Sequence, residues 1–224
     1  METFEKLVLH RTILFQSIDE AGFDKLIGCL SPRIRHYAKN EIIILTGASV
    51  DHIGVILSGT ASAYTEDAGG NRTIMSSLSP SSVFGEILVS TRAHKSPVTV
   101  YCTSDVKAAF IDYQRIYSMC SEACTTHRTF LQNIHTAIGD RYFDLFERFN
   151  ILREKSLRSR IQAYLFALSG RGSARVVTIP FSKTMLAEYL LANRSAVSRE
   201  LRRMEDEGII AVSGRKIHIR SQEH

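Results

Sequence analysis

A chain of 224 residues can hold one large domain or two modest ones, and 44% hydrophobic with 23% charged residues is typical of a soluble globular protein. No apolar run approaches the ~20 residues of a membrane-spanning helix, and the acidic residues 1–5 lack a secretory pattern. We therefore expect neither a membrane protein nor a secreted one. The cysteines at 29, 102, 120 and 124 lack the spacing of a disulfide scaffold, which favours a reduced, cytoplasmic setting.

The net charge of +5 is unevenly distributed along the chain. Residues 154–224 contain 13 Lys and Arg against 7 Asp and Glu, whereas residues 1–153 contain 15 against 16. A nearly neutral N-terminal part joined to a basic C-terminal part fits a sensor attached to a nucleic-acid module. The alternative is a chance asymmetry.

The N-terminal half changes its hydrophobic pattern once. Apolar residues between positions 15 and 30 recur at helical spacing and predict one helix. From residue 34 to 111, short apolar runs alternate with Gly, Asn, Asp and Ser, and about eight such strands closed together fit a jelly roll. The predicted strands cover residues 42–45, 53–57, 60–64, 73–75, 98–101 and 108–111.

A stripe of residues recurring every three or four positions follows, and it predicts one helix of about eight turns. A helix this long has little of its own chain to pack on, so the stripe predicts contact with a second copy of the chain. The alternative is packing against the preceding β-domain alone. The stripe consists of Phe130, Ile134, Ile138, Arg141, Leu145, Phe149 and Leu152.

The C-terminal part predicts a helix at 158–168, a turn, an apolar run at 176–179, and then two short helices joined by a tight turn. Ser182 can cap the first short helix and Asn193 the second, while Ala187 is small enough for a close helix crossing. Apolar runs at 209–212 and 216–219 predict a β-hairpin, the form of a winged helix. The apolar faces of the two short helices are Met185, Leu186, Tyr189 and Leu190 in the first, and Val197, Leu201 and Met204 in the second.

The second short helix is rich in arginine, and its polar residues point away from its apolar face. Arginine suits bidentate contact with guanine O6 and N7, and serine reaches either a phosphate or a base edge. The pattern predicts a helix in the DNA major groove, and the alternative is a solvated charged face. Predicted base contacts are Arg194, Ser195, Ser198 and Arg199, and predicted phosphate contacts are Ser182, Lys183, Arg202, Arg215 and Lys216.

The order helix, β-roll, long helix and winged helix-turn-helix resembles the Crp/Fnr superfamily of bacterial transcription regulators. Gly47 and Gly59 lie where that family turns sharply, and Phe84-Gly85-Glu86-Ile87 resembles its Phe-Gly-Glu-Leu motif. The segment from Arg194 to Arg199 resembles its recognition helix. The resemblance implies an α+β fold: a β-roll (jelly roll) sensor at 1–120, a dimerisation helix at 121–153 and a winged helix-turn-helix at 154–224.

The resemblance also implies a homodimer on a roughly palindromic operator, with two recognition helices entering major grooves about 34 Å apart. A signal received in the β-roll would reach the DNA-binding part through the long helix, and RNA polymerase is a further expected partner. The main base-reading positions fall on Arg194, Ser195 and Arg199. Cyclic-AMP-binding members usually carry Glu where this chain has Ser195, so a different operator is expected. Leu191 occupies a turn position that is often glycine.

A small-molecule effector would bind in the β-roll. Glu86 could accept from a ribose hydroxyl, but stabilising its own turn is the favoured alternative. The cyclic-AMP binders grip the phosphate with an Arg-Ser-Ala step, whereas this chain has Lys95, Ser96 and then Pro97, which lacks an amide donor. We therefore expect no cyclic AMP, while another small molecule remains open. The candidate effector pocket is Gly85, Glu86, Ile87, Lys95, Ser96, Leu145 and Phe146, the last two facing the base without hydrogen-bonding groups.

Cofactor and enzyme interpretations find little support. An iron–sulfur cluster needs several closely spaced N-terminal cysteines, which the sequence lacks before Cys29. Cys120 and Cys124 could respond to oxidation or bind a metal with His127, although inert core thiols are favoured. His94 is a weak candidate haem ligand. No catalytic motif occurs, so no enzyme, metal or cofactor is expected. The competing class is a cyclic-nucleotide- or small-ligand-binding regulatory protein that does not act through DNA.

Overall fold

The computed structural model describes residues 3–70, 72–118, 125–179 and 183–220, with the side chain of Lys183 left out. The chain divides into two compact units, Met1–Asp140 and Arg141–His224. The first combines short helices with an antiparallel β-roll, and the second combines helices with a three-stranded sheet. The predicted α+β class with a roll, a long helix and a helix-turn-helix is confirmed.

The first unit begins with helix α1 (Thr3–His10), a 3₁₀ turn (Ile13–Phe15) and helix α2 (Glu20–Leu30). The predicted single helix over residues 15–30 is therefore wrong at its start. Ser17 adopts a left-handed φ of 61°, which breaks the helical path, and Asp19 caps α2 by accepting from the amide of Gly22 at 2.9 Å. The apolar residues of α1 and α2 pack into the core of the roll.

Among the described residues, eight strands form the roll, as two four-stranded antiparallel sheets with the orders β1-β8-β3-β6 and β2-β7-β4-β5. Strand β3 is buried along nearly its whole length because it lies between β8 and β6 in the first sheet. The helices α3 (Glu86–Val89) and α4 (Tyr113–Tyr117) follow β6 and β8. The strands are β1 Arg33–Tyr37, β2 Ile42–Ile44, β3 His52–Ser58, β4 Ala61–Glu66, β5 Arg72–Leu78, β6 Val83–Phe84, β7 Thr99–Cys102 and β8 Val106–Asp112.

The turn between β3 and β4 requires glycine at position 59. Gly59 has a left-handed φ of 80°, and a Cβ there would lie 1.9 Å from the backbone oxygen of Asp105. The carbonyl of Thr60 accepts from the amides of Thr103 at 2.9 Å and Ser104 at 3.2 Å, which holds the turn against the β7–β8 connection. The sharp turn implied by the family resemblance is present.

The long helix is α5 (Thr125–Leu152), 28 residues in one piece, and its residues fall in both units. Phe130 and Ile134 are buried in the core of the first unit, so the prediction that the whole stripe meets a second copy is wrong for this half. The later stripe residues Leu145 and Phe149 are exposed. The stripe thus packs on its own roll at one end and remains uncovered in the single chain at the other.

The second unit contains α6 (Leu157–Leu168), β9 (Val176–Thr178), α7 (Lys183–Tyr189), α8 (Arg194–Asp206), β10 (Ile210–Ser213) and β11 (Lys216–Ile219). Ser156 caps α6 by accepting from the amide of Ser159 at 3.0 Å. The sheet order is β10-β11-β9, so the predicted hairpin gains a third strand. Ile151 of α5 is buried in the same core as the helices of this unit.

Candidate nucleic-acid interface

Helix α8 is anchored by three buried side chains on one face. Val197 and Met204 are fully buried and Leu201 nearly so, as the helical spacing predicts. Asn193 occupies the N-cap position with extended dihedrals, but its side chain makes no capping hydrogen bond within the described residues. The predicted N-cap position of Asn193 is confirmed, although its side chain does not make the capping bond. The amide of Val197 instead bonds the carbonyl of Asn193 at 3.0 Å, which starts the helical ladder.

The turn between α7 and α8 contains one left-handed residue. Leu191 has a φ of 50° and an exposed side chain, at the position where the family resemblance implies glycine. The amide of Ala192 bonds the carbonyl of Ala187 at 2.9 Å, which closes the end of α7. Ala187 is buried, as expected at a helix crossing. Met185 was predicted to share the apolar face, but it is 40% exposed and that prediction is wrong.

The residues predicted to read bases lie together on the side of α8 away from its buried anchor. Arg194, Ser195 and Arg199 are exposed, and Ser198 is half-buried among them. Arg202, a predicted phosphate contact, continues the same face one turn further and is also exposed. The face offers guanidinium and hydroxyl groups along its first turns, which suits a surface facing DNA, and the exposed carboxylates Glu205 and Asp206 lie on the same side at the C-terminal end of α8.

The wing and the start of α7 carry the other predicted phosphate contacts. Arg215 and Lys216 are exposed at the tip of the β10–β11 hairpin, where Gly214 has a φ of 61°. Ile217, the next residue, is buried and fixes the base of the hairpin. Ser182 and the side chain of Lys183 lie outside the described residues.

Carboxylates on the other side of α8 are bound by an arginine of α6. Arg158 donates from Nε to Glu200 at 2.5 Å and from both terminal nitrogens to Glu207, at 2.6 and 2.9 Å. These bonds raise the pKa of Arg158, and the bond from Arg158 is the main cause that lowers the pKa of Glu207. Glu205 accepts from the amide of Val212 at 2.8 Å, which joins α8 to the wing.

A second arginine of α6 bonds the end of α7. Arg160 donates to the carbonyl of Leu190 at 3.2 Å and to that of Glu154 at 3.0 Å. Sequence reasoning did not identify the contacts of either arginine. Their partners are separated by up to 49 residues in sequence, and no periodicity or motif links them.

Aromatic residues connect α5, α6 and α7 within the second unit. The guanidinium of Arg148 lies 4.9 Å from the ring centre of Tyr189, which lies 5.3 Å from that of Tyr164. Burial raises the pKa of Tyr164 to about 12 and also raises the pKa of Tyr189. The hydroxyl of Tyr164 is buried without a hydrogen-bond partner among the described residues.

The candidate effector residues of the roll form two neighbouring turns. Gly85 has a φ of 86° and leads into α3, where Glu86 is buried and Ile87 is 37% exposed. Lys95 is exposed, and Ser96 is buried with its hydroxyl donating to the carbonyl of Val98 at 2.7 Å. Ser96 therefore already bonds its own turn. Leu145 and Phe146, the other predicted pocket residues, are exposed residues of the second unit.

The candidate metal and haem ligands are engaged in ordinary packing. The ring of His94 lies 5.3 Å from that of Tyr113, and Nε2 of buried His127 lies 2.6 Å from the carbonyl oxygen of Ile116. No group of three potential ligands capable of holding a metal occurs in the part of the chain that the structure describes. Cys120 and Cys124 lie outside that part. Within it, no helix is long and apolar enough to cross a membrane.

Comparison with known proteins gives two family matches in the order of the two units. Residues 34–123 match the cyclic nucleotide-binding domain, and residues 159–224 match the Crp-like helix-turn-helix domain. The chain belongs to the Crp/Fnr superfamily. It is a transcriptional regulator of the Crp/Fnr type with a helix-turn-helix DNA-binding domain.

Individual relatives of this Crp/Fnr regulator are distant. The transcriptional activator protein Anr of Pseudomonas protegens is 23% identical over 192 residues, which are 84% of this chain and 76% of Anr. The structure of a CooA variant from Carboxydothermus hydrogenoformans matches with a TM-score of 0.62 at 18% identity, over 87% of this chain and 86% of CooA. The c-di-GMP-responsive regulator CLP of Xanthomonas campestris matches with a TM-score of 0.61 at 16% identity, over 91% of this chain and 100% of CLP. The two structures support the fold.

Proposed function

We propose that this Crp/Fnr regulator is a cytoplasmic homodimer that binds a roughly palindromic operator and responds to a signal received in its β-roll. In this proposal residues 1–120 sense the signal, residues 121–153 join the protomers and residues 154–224 bind DNA. The observation that carries it is the face of α8. Arg194, Ser195 and Arg199 are exposed together there, while the opposite face is buried and the wing presents two more cations.

Helix α8 would read the base sequence directly, and the residues flanking it would fix the position of the protein along the duplex. Arg194, Ser195, Ser198 and Arg199 would contact base edges in the major groove. Lys183, Ser182, Arg202, Arg215 and Lys216 would bind phosphates, which positions the helix without reading sequence. The operator would differ from that of relatives with Glu at the second of these reading positions.

Dimerisation is supported by the uncovered part of α5. Tyr142, Leu145, Phe146 and Phe149 are each at least 51% exposed in the single chain, which is a large apolar surface for one helix. The same face of a second copy would cover it in a twofold arrangement. Two recognition helices would then read two half-sites.

The test of DNA binding is selection of duplexes from a randomised pool by the full chain, followed by titration at increasing salt. A sequence-reading dimer enriches one pseudo-palindromic duplex and loses affinity steeply as salt rises. A chain that enriches no duplex, or that binds every duplex equally, contradicts the proposal.

The signal is proposed to be a small molecule other than cyclic AMP. The hydroxyl of Ser96 is already bonded to its own turn, Pro97 has no amide donor and Lys95 lacks the planar fork of arginine. The relative CLP responds to c-di-GMP, so that dinucleotide belongs in the ligand panel. Calorimetry should give no micromolar binding of cyclic AMP, and saturable heat would overturn this part.

RNA polymerase is a further proposed partner, because activation of transcription requires contact with it. A regulatory protein that binds a ligand but not DNA is the competing function. The basic C-terminal part and the match to a Crp-like helix-turn-helix domain favour the DNA-binding proposal over it.

A further inference from the structure

We propose that Arg158 of α6 is a positioning residue for DNA reading, which fixes the orientation of the recognition helix α8 from the side opposite the DNA. The inference rests on the proposed function, since it assigns α8 to the major groove. Its basis is one guanidinium shared between two carboxylates of the same helix, Glu200 and Glu207.

The contacts fix both the position and the rotation of α8. Glu200 and Glu207 are seven residues apart, about two helical turns, so both carboxylates lie on one side of the helix. Arg158 bonds the first through Nε and the second through a parallel pair of bonds at 2.6 and 2.9 Å. The buried anchor of Val197, Leu201 and Met204 already holds α8 in the core, and attachment at two points along its axis further restricts how the helix tilts and turns against α6.

The attached side lies away from most of the proposed readers. Successive residues of a helix are rotated by about 100°, so positions 200 and 207 lie about 120–180° around the axis from 194, 195 and 198, and about 80–100° from 199. A small rotation of α8 at this attachment therefore moves the tips of the reading side chains sideways across the base edges. Base contacts depend on hydrogen-bond geometry, whereas phosphate contacts tolerate such shifts.

Exposed ion pairs usually stabilise proteins little, because holding two long side chains in place has an entropic cost. Arg158 differs from such pairs in two respects. Its fork is bidentate on Glu207, and the side chains of Arg158 and Glu200 are only 30% and 19% exposed. The planar guanidinium suits this geometry, and a lysine could not reproduce it.

The chain contains a matched control on α8 itself. Arg203 also pairs with Glu207, at 3.3 Å and with a side chain 71% exposed, but both residues belong to the same end of one helix. Arg203→Gln therefore removes the same charge and one ion pair to the same carboxylate without loosening α8 from α6. Arg158→Gln removes the charged link between α6 and α8 and leaves their shared apolar core in place.

The experiment measures the affinities of the full chain for its selected operator and for a scrambled duplex at one salt concentration. For R158Q the ratio of the two affinities should fall about tenfold, the size of one lost base contact, with little change on the scrambled duplex. R203Q should lower both affinities alike and keep the ratio, and R158K should lie between wild type and R158Q. An unchanged ratio in R158Q, or an equal fall in R203Q, overturns the proposal.

Amide hydrogen exchange without DNA separates this proposal from the function on which it rests. Faster exchange of α8 in R158Q than in wild type or R203Q is expected, and equal exchange overturns the positioning role even if DNA binding is intact. A wild-type chain that selects no duplex refutes the proposed function instead. If R158Q does not fold, Glu207→Gln keeps the bond to Glu200 and is measured in its place. An unchanged affinity ratio in E207Q then overturns the proposal.

Discussion

Replacing Phe149 with alanine should strongly weaken the proposed dimer while leaving the protomer folded. Phe149 is 62% exposed on α5 in the single chain, so its removal leaves no cavity within the protomer. A phenylalanine presents about 200 Å² of side-chain area, of which about 120 Å² is then available to a partner. At about 25 cal/mol per Å², covering that area contributes about 3 kcal/mol, or about 2 kcal/mol after allowing for the methyl group that alanine retains.

Symmetry doubles the effect, because each protomer of a twofold dimer contributes the same residue. The expected loss is about 4 kcal/mol per dimer, which corresponds to an increase of about 1,000-fold in the dissociation constant. Sedimentation equilibrium of the full chain over a wide concentration range measures that constant directly. Circular dichroism checks that the variant retains its secondary structure.

The matched control is Phe166→Ala. Phe166 is 56% exposed on α6, outside the proposed dimer face, so the same substitution removes a similar exposed area. It should leave the dissociation constant near that of wild type. If F149A dimerises as tightly as wild type, or F166A weakens the dimer equally, then the exposed part of the stripe is not the dimer interface.

Three further predictions concern the roll, the core of the second unit and the DNA interface. Gly59→Ala should lower the free energy of unfolding by about 3 kcal/mol, because both the left-handed φ and the overlap with backbone oppose a side chain. The control is Gly47→Ala, because Gly47 has the same φ of 80° but a Cβ there would meet open space. Urea titration should show that this variant loses only about 1 kcal/mol of its free energy of unfolding, and equal losses in the two variants would contradict the steric argument. Tyr164→Phe removes a buried hydroxyl without a partner, and calorimetry should show about 1 kcal/mol of added stability at neutral pH. Because the unfolded tyrosine ionises first, the loss of stability between about pH 10 and about pH 12 should also shrink in this variant, and a less stable Y164F would refute the argument. Arg199→Ala should weaken binding to the operator by about 1–3 kcal/mol and reduce the specificity for one base pair. Lys216→Ala should instead lower the affinity for all duplexes alike, and gel shifts with single-base variants of the operator measure both effects. Unchanged operator binding by R199A would remove Arg199 from the readers.

Periodicity in the sequence predicted those helices and strands whose apolar residues form a short run or recur at helical spacing. The strands β3 and β4, the hairpin of the wing and the helices α6 and α8 follow from runs and stripes that the structure largely buries, whereas the predicted strands β2 and β5 form with mostly exposed side chains. Strand β1 was missed because it is an edge strand rich in Arg and His, so its alternation of polar and apolar residues is a weak signal. Strand β6 has two residues, too few for any period to be visible.

Other features depend on contacts that a local pattern does not contain. The stripe of α5 is continuous in sequence, yet its first half is covered by the roll and its second half is exposed, because the cover comes from residues far away in the chain. The exposed polar face of α8 that is proposed to read DNA could be predicted as a face because a helix fixes which side chains share a side. Its attachment through Arg158 could not, because charged residues at unrelated positions form that network.

The anchor and the proposed readers of α8 are separate sets of side chains. Val197, Leu201 and Met204 hold the helix in place, while Ser195 and Arg199 contribute almost nothing to the core. A substitution among the readers therefore leaves folding nearly untouched. Because of this division, the DNA sequence that the protein prefers can evolve through single codon changes among the proposed readers while the fold is retained.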